Sequence, residues 1–250
     1  MSETIQPGAL YVVSTPIGNL DDITRRAERI LAGVDLIAAE DTRTTRVLLD
    51  HLGIKKPLLS YYQHNEHRRV PELIERLGAG ESIAVVTDAG TPAISDPAFT
   101  IVRAAVAGGI TVIPVPGASA ILSALVVSGL PTDRFVFEGF LPPKKGRRTR
   151  LERLKREDRT IILYEAPHRI RRTLNDLLAT LGDRQVAVAR EMTKKFEEVV
   201  RGRVTDVIEH FARKEPRGEF VLVVSGNPEG YDSTDQSIPE EDADHGEEAD

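Results

Sequence analysis

The sequence predicts an α/β protein of two domains, the first built on a parallel sheet, and three observations carry that expectation. Short apolar or β-branched runs alternate with stretches of helical periodicity from Leu10 to Pro116, the rhythm of βαβ units. Two of those runs, ending at Val86 and Val115, break into the small-residue loops Thr87-Asp88-Ala89-Gly90-Thr91-Pro92 and Pro116-Gly117-Ala118-Ser119-Ala120. Beyond Pro116 the order of strands and helices changes, which suggests a second topology and makes Pro116-Gly117 the hinge candidate. The expected units are residues 1–116, residues 117–226 with a mixed sheet, and an acidic tail over 227–250.

Each element has a local reason. Leu10 to Val13 reads as a strand, broken by Ser14-Thr15-Pro16-Ile17-Gly18-Asn19-Leu20. Asp21 or Asp22 can cap a helix whose apolar positions Ile23, Ala27, Ile30 and Leu31 share one face. Asp35 to Ala39 is the next strand, with Glu40-Asp41-Thr42-Arg43 at its carboxyl end and a helix through Val47, Leu48 and Leu52 closed by Gly53. A strand at Leu58-Leu59 and a helix around Leu73 to Leu77 complete the approach to the two loop units. In the second half, strands are expected at Phe135 to Phe140, Thr160 to Tyr164, Val186 to Ala189, Glu198 to Arg201 and Phe220 to Val224. Helices are expected from about His168 to Leu181 and from Val204 to Ala212.

Composition excludes several chemistries. With no cysteine among 250 residues, disulfides, zinc thiolates and cysteine nucleophiles are absent. No apolar run approaches the roughly 18 residues of a membrane span, and the first residues lack a signal-peptide pattern, so a cytoplasmic protein with no membrane partner is expected. The net charge is −6, but residues 229–250 hold ten carboxylates and no Lys or Arg. The preceding body therefore carries 33 cations against 29 anions, a net +4. So acidic and poorly apolar a tail is expected to be disordered, with solubility as its simplest role.

Neither G-x-G-x-x-G after a strand nor the G-x-x-x-x-G-K-[ST] loop occurs, so phosphate cradling by a nucleotide fold is unsupported. His64 and His67 lack a third ligand and sit beside Arg68 and Arg69, so exposed helix-entry residues are expected and no metal. Ser119 is not in a nucleophile elbow. What remains is a crevice beyond strand carboxyl ends, with small residues for close backbone approach, a buried acid expected at Asp88, and hydroxyls at Thr91 and Ser119. Asp88 and Ser119 could instead simply cap the helices that follow.

A second constellation is basic: eight Lys or Arg lie among the thirteen residues from Lys144 to Arg156. His168, Arg169, Arg171 and Arg172 follow, then Lys194 and Lys195. A solvated helix face is one explanation. The loop Gly139 to Pro143, which leads the charge toward the crevice, favours a phosphate backbone as partner.

With these strings in hand, the chain resembles the tetrapyrrole methylase superfamily of S-adenosyl-L-methionine-dependent methyltransferases, and within it the branch acting on ribosomal RNA. The carrying strings are STPIGNLDDIT (14–24), AEDTRTT (39–45), TDAGTPAISDP (87–97), VPGASA (115–120), EGFLPPKKGRR (138–148), YEAPHRI (164–170) and REMTKKFEEVVRG (190–202). The resemblance implies the class III methyltransferase fold, two αβα domains with the cofactor in the cleft between them, and a homodimer. It implies 2′-O-methylation of a cytidine ribose in the decoding region of 16S ribosomal RNA, with the RNA met within the 30S subunit.

Carried over by position, the resemblance assigns cofactor contacts to Pro16, Asp88, Thr91, Ser119, Ala120 and Glu165. Arg43, Lys144, Lys145, Arg147, Arg148 and Arg169 are the expected RNA contacts, and Glu40, Glu191 and Lys194 the candidates for ordering or deprotonating the ribose hydroxyl. Ala98 and Met192 depart from the Gly and Leu expected there, and the acidic tail stands where some members carry a longer extension. The competing functions are a precorrin-type tetrapyrrole methyltransferase and a non-catalytic RNA-binding assembly protein.

Overall fold

The computed structural model describes residues 4–227 apart from 214, so the expected disorder of the acidic tail falls, except for Asn227, outside the described residues. Strands β1 (Leu10–Val13), β2 (Leu36–Ala39), β3 (Leu58–Ser60), β4 (Ile83–Val86) and β5 (Val112–Val115) form one sheet in the order β3-β2-β4-β1-β5. Every pairing in it is parallel. Between them run helices α1 (Arg25–Gly33), α2 (Thr42–His51), α3 (Glu66–Gly78) and α4 (Ala98–Ala107).

Strand alternation sorts the core into two layers. Tyr11, Ile37 and Ala84 point toward Ile30 and Leu31 of α1 and Leu49 of α2, whereas Leu10, Leu36 and Val85 point toward Leu73 of α3 and Ile101 of α4. Strands buried on both faces need continuous apolar runs, and LYVV, LIAA and IAVV supply them.

Two helix starts in this half differ from those read in the sequence. Thr24 caps α1 by accepting from the Ala27 N–H, while Asp21 and Asp22 lie in a short 3₁₀ turn capped by Asn19. Helix α3 begins at Glu66, well before Leu73, because Pro71 falls inside it and interrupts the sequence pattern of its first turns.

The second sheet is mixed. Strands β6 (Phe135–Phe140), β7 (Thr160–Glu165), β8 (Gln185–Arg190), β9 (Glu198–Arg203) and β10 (Phe220–Val224) stand in the order β6-β7-β10-β8-β9. Only β6 and β7 are parallel; β10 runs antiparallel to both β7 and β8, and β8 to β9. Helices α6 (Arg147–Leu154), α7 (Ile170–Leu181) and α8 (Val204–Ala212) cover one face, packing Leu151, Leu174 and Val207 on Leu163, Val188 and Leu222. The other face takes α5 (Ala120–Ser128), whose Ile121, Ala124 and Leu125 meet Ile162, Ala187 and Val221.

Leu174 is fully buried in that larger layer. Leu174→Ala should therefore cost about 2–5 kcal/mol of unfolding free energy, measured by urea denaturation.

Candidate active site

Three loops at the carboxyl ends of β1, β4 and β5 close on one another. Thr15 and Gly90 exchange backbone hydrogen bonds of 2.9 and 3.1 Å, an isolated antiparallel bridge between the first and second loops. Gly90 has φ +85°, and an added Cβ would also press on Ile17 at 3.3 Å. At Gly117 a Cβ would come within 2.9 Å of the Ser14 Cβ, so the third loop reaches the first only because it carries no side chain there. The Thr91 hydroxyl joins all three, 3.0 Å from the Ser14 Oγ and donating to the Ala118 carbonyl at 3.2 Å.

The second loop is held in an unusual backbone state. Ala93 and Ser95 have φ of 71° and 70°, and after β8 Glu191 and Thr193 have 52° and 66°. Non-glycine residues adopt this region at a cost of order 1–3 kcal/mol each, which the surrounding contacts must offset. The second of these segments carries Lys194 into a crevice beside the first two loops.

That crevice contains a cavity of about 420 Å³, within the range of small-molecule sites. Its wall combines Pro16, Gly18 and Asp88 from the first half with Lys194 and Glu219 from the second. Lys194 lies so close over Gly18 that a Cβ there would meet the lysine Cγ at 2.3 Å. Its ammonium is shared by Glu191 Oε1 at 3.0 Å and Glu219 Oε2 at 2.9 Å.

Burial alone would lower the Lys194 pKa, but the hydrogen bonds and charges of Glu219 and Glu191 outweigh it and hold it above the ordinary lysine value. Burial would likewise raise Glu191, yet the Glu219 N–H, the Lys194 ammonium and the Arg190 charge bring it below the ordinary glutamate value. The lysine's contribution to stability is complete below 10.5 and lost as pH rises through its folded pKa; the glutamate's is present above 4.5 and lost as pH falls through its own. Lys194 and Glu191 should therefore both stay ionised from about pH 5 to 10, and titration of their amide signals by NMR should show no inflection from these two groups within that window.

Opposite this trio lies an acidic arrangement. Glu40 Oε2 accepts from the Thr87 hydroxyl at 2.6 Å and from the Asp88 N–H at 3.3 Å, and Asp88 Oδ1 accepts from the Asp41 N–H at 3.1 Å. Asp88 is exposed at the cavity wall rather than buried as expected, because the β4 strand ends two residues earlier. Partial desolvation, reinforced by the Glu40 charge, raises its pKa above the ordinary aspartate value.

Of the other expected cofactor residues, Ser119 caps α5 through the Leu122 N–H and Ala120 opens that helix. Glu165 is 2% exposed and turned inward, its oxygens taken by the Ala166 N–H, the Thr173 hydroxyl and the Arg169 guanidinium. Its expected place in the cleft is thus corrected: Arg169 and the Thr173 hydroxyl behind β7 draw it away.

Arg147 is corrected for the same reason. It is 4% exposed, bonded by Nε to Asp176 at 2.7 Å and by Nη2 to the Thr173 hydroxyl at 2.8 Å, and so braces α6 against α7. Arg147→Ala should cost about 3 kcal/mol in a thermal or urea unfolding measurement, since Asp176 loses its closer cation and the buried Thr173 hydroxyl loses a donor. Arg169 is also committed internally, to Glu165 and the Leu141 carbonyl. Lys144, Lys145 and Arg148 are exposed with no ion pair among the described residues, while the exposed Arg43 is paired with Asp41 at 2.6 Å. Glu219 was missed in the sequence, because a lone acid before an apolar strand gives no local signal. His64 and His67 are exposed, and no group of metal-ligating side chains occurs among the described residues.

The sequence profile of the Tetrapyrrole (Corrin/Porphyrin) Methylases matches residues 9–208. A "Ribosomal RNA small subunit methyltransferase I" from Synechocystis is 54% identical over 88% of this chain and 79% of its own length. One of the same description from Thermotoga maritima is 51% identical over 88% of this chain and 99% of its own. The chain belongs to the tetrapyrrole methylase family, in its ribosomal RNA small subunit methyltransferase I branch. This methylase is a methyltransferase, with the class III fold that its resemblance implied. Solved structures share that fold at low identity. A diphthine synthase superposes with TM-score 0.67 at 15% identity over 87% of this chain and 90% of its own. A uroporphyrin-III C-methyl transferase from Thermus thermophilus, complexed with S-adenyl homocysteine, superposes with TM-score 0.60 at 20% identity over 87% and 97%.

Proposed function

We propose that this methylase transfers the methyl group of S-adenosylmethionine to the 2′-hydroxyl of a cytidine ribose in the decoding region of 16S ribosomal RNA, within the 30S subunit. The observation that carries the reading is identity of about half over nearly the whole chain to relatives described as acting on small-subunit ribosomal RNA. It is supported by a basic arm of exposed Lys144, Lys145 and Arg148 that leaves the crevice end of the second sheet.

The crevice fits the cofactor on its own geometry. Three loops brought together at Gly90 and Gly117 leave a cavity of the right order of size, with Asp88 and Pro16 on one wall and a cation, Lys194, on the other. Pro16 and Asp88 would hold the group, with Thr91 keeping the loops in register and Ser119 anchoring α5. When bound, S-adenosylmethionine supplies an electrophilic methyl carbon on a sulfonium.

The chain's own work is then positioning, which can supply roughly 7–11 kcal/mol of such a barrier. Lys144, Lys145, Arg148 and Arg43 grip phosphates. Lys194, held cationic by two glutamates, stands where its charge favours an ionising ribose hydroxyl. Glu40 is a positioning residue, because its Oε2 is occupied in setting the Asp88 loop. Glu191 shares that lysine with Glu219, and its lowered pKa makes it a weak base.

A homodimer accords with exposed apolar side chains along single helix faces, Phe99 and Val106 on α4 and Leu122 and Val126 on α5. A cytoplasmic site of action accords with a ribosomal substrate. The 2′-oxygen assignment is tested with a substrate carrying 2′-deoxycytidine at the target. No methyl transfer to it is expected, and methylation of that substrate would move the reaction to a base atom.

A further inference from the structure

A second cavity lies far from the crevice. It holds about 1340 Å³ at the opposite pole of the second sheet, where β7 begins and β10 ends. Strand β10 measures the separation: Glu219 before it lines the crevice and Ser225 after it lines the pole cavity, six residues or roughly 20 Å apart. Of the Lys and Arg in the basic segment 144–156, Arg153, Lys155 and Arg156 line it, and no residue assigned above to cofactor or catalysis does.

Its charge is lopsided. Seven Lys or Arg line it against four Asp or Glu. Two of those carboxylates are engaged, Asp158 with Arg134 at 3.6 Å and Asp183 with the Thr205 N–H and hydroxyl. At the floor is Arg184, only 8% exposed. Its guanidinium donates to three backbone carbonyls, of Leu181, Ser225 and Lys155, and no carboxylate among the described residues lies within ion-pair distance. Carbonyls satisfy its donors but do not cancel its charge, so this wall of the cavity keeps a cation with no counter-ion among the described residues. At the rim Arg153, Lys155 and Arg156 are exposed and make no ion pair among the described residues.

The pole is joined to the crevice by a track of charge. Helix α6 starts beside Lys144 and Lys145, which follow the crevice end of β6, and ends at Arg153, Lys155 and Arg156 on the cavity rim. Eight residues of helix cover about 12 Å, within the reach of a few nucleotides.

We infer that the pole cavity is a second phosphodiester-binding site, which holds the backbone of the RNA substrate where it leaves the α6 track. This rests on the RNA reading proposed above and adds to it a site remote from the reaction. The site contributes affinity and orientation, with no part in the chemical step.

The test measures binding of the full-length chain to unmodified 30S subunits across a salt series, for wild type, the triple variant R153A/K155A/R156A and the crevice-side variant K144A/K145A. The pole variant should raise Kd about tenfold or more near 0.1 M salt. It should also lower the slope of log K against log salt by about 2, for roughly 0.7–0.9 per lost phosphate contact. Its turnover at saturating 30S and its affinity for S-adenosylmethionine should match wild type. Unchanged Kd and slope in the pole variant, with both altered in K144A/K145A, would overturn the pole site and leave the RNA reading intact. A wild type with no affinity for 30S would overturn both.

Discussion

Replacing Asp88 by alanine is expected to abolish productive binding of S-adenosylmethionine, with Kd rising about 100-fold as a charged hydrogen-bond partner worth up to about 3 kcal/mol is lost. Asp88 sits on the cavity wall, with Oδ1 fixed by the Asp41 N–H and its backbone fixed by Glu40. The lost contact to Asp41 is at the surface and water replaces it, so the fold should persist. Asp88→Asn keeps the acceptor oxygen and should retain more affinity than alanine. Calorimetric titration of both variants checks this. Wild-type affinity in Asp88→Ala would place the cofactor elsewhere.

Lys194→Met should produce the second large effect, a fall of about 10²–10³ in methyl transfer with the cofactor Kd changed only a few-fold. Methionine preserves the stem that lies over Gly18 but removes the ammonium shared by Glu191 and Glu219. Without that cation Glu191 loses a group that lowers its pKa, so its titration should move upward and the acid limb of the rate profile should shift with it. Single-turnover rates from pH 5 to 9 give both quantities. An unchanged rate would reduce Lys194 to a surface contact.

These two residues show how differently the halves of the site could be read from sequence. Asp88 is legible because it follows a strand of four buried apolar residues and opens a Gly/Pro loop, a local pattern with a local cause. The parallel pairing of the first sheet is legible for a similar reason, since short apolar runs alternate there with helical stretches, while the order of its strands leaves no local mark. Glu165, Arg147 and Arg169 were misplaced because direction decides their role. Each follows or starts an element at the crevice end, but an interior network of Thr173, Asp176 and the Leu141 carbonyl turns them inward. Glu219 contributes to the site through the β10 register against β8, where Phe220 faces Arg190, and pairing of that range leaves no mark on the neighbouring sequence. Helix α3 was foreshortened by Pro71, whose penalty the packing of Leu73 and Leu77 overrides.

The central claim, that two loops of the first domain and a lysine of the second assemble a ribose methyltransferase, is tested most directly by transfer of labelled methyl from S-adenosylmethionine to unmodified 30S subunits, followed by nuclease mapping. Label on a single cytidine ribose in the decoding region is the predicted result. Absence of label on both 30S subunits and naked 16S RNA, in a preparation that binds S-adenosylmethionine, would contradict it.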